Sequence, residues 1–426
     1  MSTDRAQLRR TGIYGAGLVL LAHGAISAAE VDFRPSLSFG VFHNGNLSVT
    51  GKGPGDDGAI LGLDLRVERR TATSVFSFDY RPAYEAYRES KDLDYFSNTI
   101  ALGYSHEGTR ASKFYVDGYA ARTDYQGATP LKPDVATTFV PRTTLTRGDA
   151  RIGGNIPAGK RGFVDLEARG YVELYKDLDD NPATEIVGDQ VDFVDTTAGT
   201  ARVGWRSEIN PRNTIGVTVE GSYFDYEDDV LVQLPPLGSI VVSPESVLVE
   251  TLAIVGTSQP GEYWQLSYLV GGSRAESGDA EVSGFSFDLT VEYTAMQESL
   301  FSGGARQVFS PGTGVPTTTP GAVGISTTSQ DRGLWFSYSH SPTARGLSGA
   351  VLGGYWVREV VDFGTSSTGA ASHSINVTGN IGWKFNRFIT LTGNYAFVDQ
   401  STKEPSSLDT SYSSYGVFLH WAIRGR

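Results

Sequence analysis

The sequence predicts an all-β fold, a transmembrane, antiparallel, up-and-down β-barrel of about 18 strands. Three observations predict it. Apolar and polar residues alternate with period two along segments of about ten residues or more, repeatedly down the chain. No run of 18 apolar residues follows residue 29, so a membrane crossing has to be made by strands. Short connections alternate with long ones.

Residues 1–29 read as a cleaved secretory signal, leaving 30–426 as the barrel. Arg5, Arg9 and Arg10 form a basic start, an apolar stretch runs from Gly12 to Ala22, and Ser27 and Ala29 supply small residues at a cleavage site. Removing this segment takes away three Arg and one Asp, which moves the net charge from −13 to −15. An acidic chain repels nucleic acid. The absence of Cys excludes disulfides and thiolate metal sites. Charged residues at 19% are few for a soluble enzyme, and hydrophobic residues at 39% are few for a helical membrane protein. Tyr, Phe, Thr and Val favour strands, while Gly and Ser favour the turns between them.

The alternation is explicit in the segments. Leu61, Leu63, Leu65 and Val67 oppose Gly62, Asp64, Arg66 and Glu68. Phe76, Phe78 and Tyr80 oppose Ser77, Asp79 and Arg81, with Glu85 further on. Val164, Leu166 and Ala168 oppose Asp165, Glu167, Arg169, Tyr171, Glu173 and Tyr175. Ile215, Val217 and Val219 oppose Thr218 and Glu220, and Phe285, Phe287 and Leu289 oppose Asp288 and Glu292. Charges on one face are difficult to bury in a soluble sandwich, whereas a wet lumen hydrates them.

Strands are expected over 31–44, 58–68, 73–86, 95–106, 112–124, 142–156, 162–175, 193–207, 213–226, 244–258, 262–275, 282–293, 298–309, 327–340, 346–361, 371–384, 387–399 and 412–424. An even count returns both termini to the periplasm. The stretch 294–330 is the least regular, and a loop in place of one hairpin there gives 16 strands. Trp205, Trp264, Trp383 and Trp421 fall near short turns or the C-terminus, the placement of an interfacial aromatic girdle. Ser414, Gly416, Leu419 and Trp421 resemble the last-strand signal read by the barrel-assembly machinery.

Catalytic motifs are missing: no HExxH, no Walker loop and no GxSxG. A lipid-modifying Ser–His pair has two candidate locations, His340 beside Ser339 and Ser341, and His373 between Ser372 and Ser374. Asp177, Asp179 and Asp180 lack the Gly and distal Glu of an EF-hand and read as a solvated loop. No metal or cofactor is expected. The inward positions are the informative surface: Asp64, Arg66, Glu68, Asp79, Arg81, Glu85, Asp165, Glu167, Arg169, Glu173, Arg202, Arg206, Glu220, Asp288 and Glu292. They brace the wall by pairing across strands and set the polarity of a pore. Tyr87, Tyr171 and Tyr175 face the same way, where rings pack or stack on sugars.

Tyr80-Arg81-Pro82-Ala83-Tyr84, Lys91 to Phe96, Ala101 to Tyr104 and Gly354 to Glu359 resemble the β-barrel porin type 2 family. The resemblance implies a non-enzymatic outer-membrane barrel that conducts exopolysaccharide, with no catalytic residues to carry over. Its partners would be outer-membrane lipid and lipopolysaccharide, the barrel-assembly machinery and periplasmic polysaccharide-export components. Two alternatives stand beside it. One is a general diffusion porin for small solutes, with 301–330 as an inward-folded loop. The other is a barrel-embedded lipid-modifying enzyme.

Overall fold

The computed structural model describes residues 30–45, 55–91, 94–109, 112–125, 143–175, 195–226, 230–234, 238–242, 245–278, 280–296, 298–311, 316–319, 322–325, 328–341, 346–360, 371–402 and 410–423. The signal segment 1–29 and Asp177, Asp179 and Asp180 lie outside them.

The strands are β1 (Glu30–Asn44), β2 (Asp56–Arg70), β3 (Ser74–Tyr87), β4 (Tyr95–Glu107), β5 (Lys113–Tyr125), β6 (Thr143–Ala158), β7 (Gly162–Tyr175), β8 (Thr196–Asn210), β9 (Asn213–Tyr226), β10 (Val230–Leu234), β11 (Gly238–Val242), β12 (Val247–Ser258), β13 (Trp264–Ser277), β14 (Ala280–Met296), β15 (Ser299–Pro311), β16 (Pro316–Thr319), β17 (Ala322–Ile325), β18 (Thr328–His340), β19 (Gly346–Val360), β20 (Ala371–Lys384), β21 (Ile389–Thr402) and β22 (Thr410–Ala422). Eighteen of them form one antiparallel sheet of sequential neighbours, and β22 pairs with β1 through Phe39↔Leu419 and Val41↔Val417, which closes the barrel. The choice between 16 and 18 strands is thereby settled: β14 and β15 pair from Phe287↔Gln307 to Tyr293↔Phe301. Two segments expected as plain loops carry hairpins outside the wall, β10–β11 and β16–β17.

The first and last described residues, Glu30 and Ile423, lie at the end where connections are short. There the side chains organise the turns: Asn386 Oδ1 accepts hydrogen bonds from the backbone N–H of Phe388 (2.8 Å) and Ile389 (3.0 Å), and Thr71 Oγ1 accepts one from Ser74 (3.0 Å). At the other end most connections are long. The exception joins β13 to β14, where Ser277 pairs directly with Ala280 and Gly278 takes φ of 56°.

The two faces of the wall differ as the period-two rule requires. One face carries large apolar side chains that nothing covers, among them Leu61 (59% exposed), Leu252 (60%) and Leu334 (61%). The other carries most of the ion pairs and most of the buried side chains, so it is the concave, inward face. Apolar area left open on this scale is stable only against hydrocarbon. The protein is an outer-membrane β-barrel, and its apolar belt faces lipid. No helix among the described residues is long and apolar enough to cross a membrane.

Glycine has a role beyond turns. Many glycines lie within strands, beneath rings from neighbouring strands: Trp356 covers Gly333, Trp335 covers Gly304, and Phe418 covers Gly40. A Cβ at these sites would run into the ring, so glycine is what allows the ring to lie flat on the wall.

Candidate functional site

The register converts the alternation into a ribbon of charge inside β5–β8. Asp117 on β5 accepts from Arg151 on β6 at 2.7 Å. Asp149 on β6 holds Arg169 on β7, while Arg147 reaches Glu173 at 3.4 Å. On the next seam Glu167 meets Arg202 at 3.3 Å and Asp165 meets Arg206 at 3.2 Å. Glu220 on β9 lies opposite Arg202. Tyr115 donates its hydroxyl to Glu167, and the Arg151 guanidinium lies 5.0 Å from the Tyr115 ring centroid. Each arginine therefore sits between a carboxylate on one side and lumen water on the other, with 30–46% of its side chain exposed. Pairs this wet contribute little to stability, so their main effect is on the field inside the lumen.

Smaller clusters continue around the wall. Glu68 is shared by Arg66 (3.4 Å) and Arg70 near the short-turn end, and Arg81 bridges Asp64 (3.6 Å) and Asp79 (3.5 Å). Asp288 faces Arg306 at 3.7 Å. Glu85 shares the inward register, opposite Ile60, and Glu292 lies opposite Gln265 and Ser302. Asp331 and Arg358 form a much drier pair at 2.8 Å, with 5% and 14% of their side chains exposed.

The inward face of the adjoining arc is apolar near the loop end. Ala198, Phe224, Tyr226, Val247, Val249 and Ala275 form one buried cluster, with Tyr171 and Phe309 packed against it. Tyr171 lies 6.4 Å from Phe224 and 5.8 Å from the Arg147 guanidinium, which makes it the joint between the charged ribbon and the apolar patch. Tyr87 is buried edge-on against Phe42. Tyr175 keeps the inward register opposite Leu145, and its side chain lies outside the described residues.

Trp205, Trp264, Trp383 and Trp421 are on the outward face, each about half exposed. Trp335 and Trp356, the other two of the six, point inward and are buried together.

The Ser–His pairs suggested by adjacency do not form. Neighbours in a strand point to opposite faces: His340 is outward and Ser339 inward, and His373 is outward while Ser372 and Ser374 are inward. His340 Nδ1 instead meets Ser299 Oγ at 2.9 Å across the strand seam, and His373 Nδ1 meets the Tyr355 hydroxyl at 2.8 Å. The same arrangement recurs as Ser74–His106 at 2.9 Å, so these are cross-strand braces. Among the described residues no three metal-ligating side chains converge.

Sequence reading did not single out Tyr115, Asp117, Arg147, Asp149, Arg151, Arg306, Asp331 or Arg358. A signal was available for some: Arg147-Gly-Asp149-Ala-Arg151 alternates charge with spacer at period two.

No family model and no curated protein matches the chain. Solved structures with similar architecture include Pseudomonas aeruginosa OpdQ, at 12% identity and TM-score 0.42, covering 92% of this chain and 97% of that one. OpdK from the same organism, solved with vanillate, is 12% identical at TM-score 0.44, covering 92% and 98%. The Neisseria meningitidis iron transporter FrpB is 9% identical at TM-score 0.45, covering 88% of this chain and 64% of its own. These likenesses are too distant to carry a substrate across.

Proposed function

We propose that the protein is a passive outer-membrane channel for small water-soluble solutes. The observation that carries this reading is the ribbon of half-exposed ion pairs, which runs along the inner wall from Asp165–Arg206 near the short turns to Arg147–Glu173 near the loops. Such a wall hydrates a solute path and screens a permeant charge of either sign. Flow along such a path is diffusive, down the solute's own gradient. The polymer-export reading requires a wide, open mouth. The inward face of β9, β12, β13, β18 and β19 instead has side chains at or near zero exposure close to the loops, which supports the small-solute reading.

The test is reconstitution of the purified protein in planar bilayers and in liposomes, with sugars and organic acids of graded size. Discrete channels and a size cut-off in the range of small solutes are expected. Absence of any current would contradict the reading, as would passage of long polysaccharide chains.

A further inference from the structure

We infer that the lumen holds a subsite for an uncharged, polyhydroxylated solute of mono- to disaccharide size, built on β20–β22 and facing the charged ribbon. This inference rests on the channel reading above and names one class of solute that the wall would hold in passing.

The first ground is a stretch of inner wall without charge. The inward positions from Ser374 to Gly382 on β20, Thr390 to Val398 on β21, Ser414 to His420 on β22 and Ser36 to Asn44 on β1 include no Asp, Glu, Lys or Arg. Hydroxyls, amides, glycines and a few apolar groups fill them instead. In the ring of 18 strands β20 stands half a turn from β7. The uncharged arc therefore looks across the lumen at the ion pairs of β5–β8.

The second ground is the chemistry at the centre of that arc. Asn380 and Asn394 are cross-strand partners, and both are exposed. Among the described residues no other side chain engages either amide. Each keeps two N–H donors and a carbonyl acceptor for a solute. One register row closer to the loops, Thr378 and Ser414 add hydroxyls on either side of Ala396. On the ribbon, by contrast, arginines and carboxylates satisfy one another. Beside the amides lies an aromatic ring. Phe418 covers Gly40 and Gly416, and Gly416 is the cross-strand partner of Asn394. A Cβ at either glycine would run into the ring, so the two glycines let Phe418 lie along the wall next to the amides. The C–H face of a sugar ring packs on such a surface while its hydroxyls reach the neighbouring amides.

The third ground is volume and sign. These groups line a recess of about 660 Å³. That lies within the usual span of small-molecule sites, roughly 300–1,000 Å³. Among the described residues Glu85, at the far edge, is the only charged residue of the lining. A carboxylate accepts hydrogen bonds from hydroxyls and repels an anion, and no cation lines the recess to draw one in. The recess therefore favours a neutral polyol over a sugar acid.

The test records single-channel current through the reconstituted protein with sucrose, with lactobionate, or with a polyethylene glycol of matching size. Sucrose should interrupt the current in a saturable way, at lower concentration than lactobionate. Combining Asn380→Ala with Asn394→Ala should raise the half-blocking concentration of sucrose about tenfold, as two hydrogen-bonding groups are lost. Heat-modifiable migration on gels checks that the variant barrel has folded. Three results overturn the subsite: sucrose acting no more strongly than the polyethylene glycol, lactobionate acting as strongly as sucrose, or an unchanged half-blocking concentration in the double variant. A silent wild type overturns the channel reading instead. Saturation-transfer NMR of sucrose with the detergent-solubilised protein tells the two failures apart, because it reads binding without current: a signal lost in the double variant upholds the subsite, and no signal in the wild type overturns it.

Discussion

The inner wall has two arcs that obey the same alternation and reach opposite chemistry. On β5–β8 the inward positions include arginines and carboxylates, partly exposed and paired across every seam. On β9, β12 and β13 the inward positions near the loops include Phe224, Tyr226, Val247, Val249 and Ala275, at 0–8% exposure. The outward face is apolar on both arcs because lipid covers both. The inward face is free to differ, because its surroundings are set by whatever else occupies the lumen. Strand pairing thus sets orientation, and contents set chemistry.

Breaking a dry ion pair, on β18 and β19, and a wet one, on β5 and β6, gives the largest expected contrast. Asp331→Asn removes the negative charge that faces Arg358 in a dry site and should cost about 3–5 kcal/mol. Asp117→Asn leaves Arg151 in lumen water and should cost about 0–1 kcal/mol. Urea unfolding in phospholipid vesicles reads both, and equal costs would erase the distinction between dry and wet parts of the inner wall. Next comes Phe224→Ala, which empties the apolar cluster and should cost about 3 kcal/mol by the same assay. A neutral result would mean that the cluster is not packed.

A smaller effect concerns the glycines. Gly333→Ala must push Trp356 off the wall and should cost about 1–3 kcal/mol. A Cβ at Gly221 meets nothing within 4 Å, so Gly221→Ala should be neutral. Matching melting curves for the two variants would remove the ring-over-glycine explanation.

The smallest effect is at the rim. Asp56, on the loop side of the apolar belt, accepts backbone N–H bonds from Ser90 (2.8 Å), Glu89 (3.1 Å) and Asp57 (2.7 Å). Burial works against its charged form, but the three donors outweigh burial and hold its pKa below the ordinary 3.8. A depressed value means the contribution is fully present above 3.8 and is lost as pH falls through the lower folded value. Hydrogen exchange at the Glu89 and Ser90 amides should therefore stay protected at neutral pH and open only in strong acid. In Asp56→Asn both amides should exchange faster at every pH.

Much of the wall was legible from residue order, because lipid on one face and water on the other impose period two over the full length of each strand. The run Ile215, Val217, Val219 against Thr218 and Glu220 is enough to orient β9. The hairpins at 230–242 and 316–325 were not legible, since a hairpin outside the wall has no such two-sided surroundings. The apolar inner patch had one sign in the sequence: Val247-Leu248-Val249 is apolar on both faces where alternation calls for a polar residue. The Ser–His candidates failed for the complementary reason, because closeness along a strand separates side chains to opposite faces. Which inward charges pair also depends on register, as with Asp149 and Arg169, and register is a property of two strands together.

Single cysteines at Glu167 and Leu166 test the central claim most directly, because the two residues are adjacent in β7 and face opposite ways. A charged, membrane-impermeant thiol reagent is added while current is recorded through the reconstituted protein. Glu167→Cys should react and reduce the current, whereas Leu166→Cys should be shielded by lipid and leave it unchanged. Equal reactivity at both positions, or block through Leu166→Cys alone, would contradict the assignment of a watered, charged inner wall.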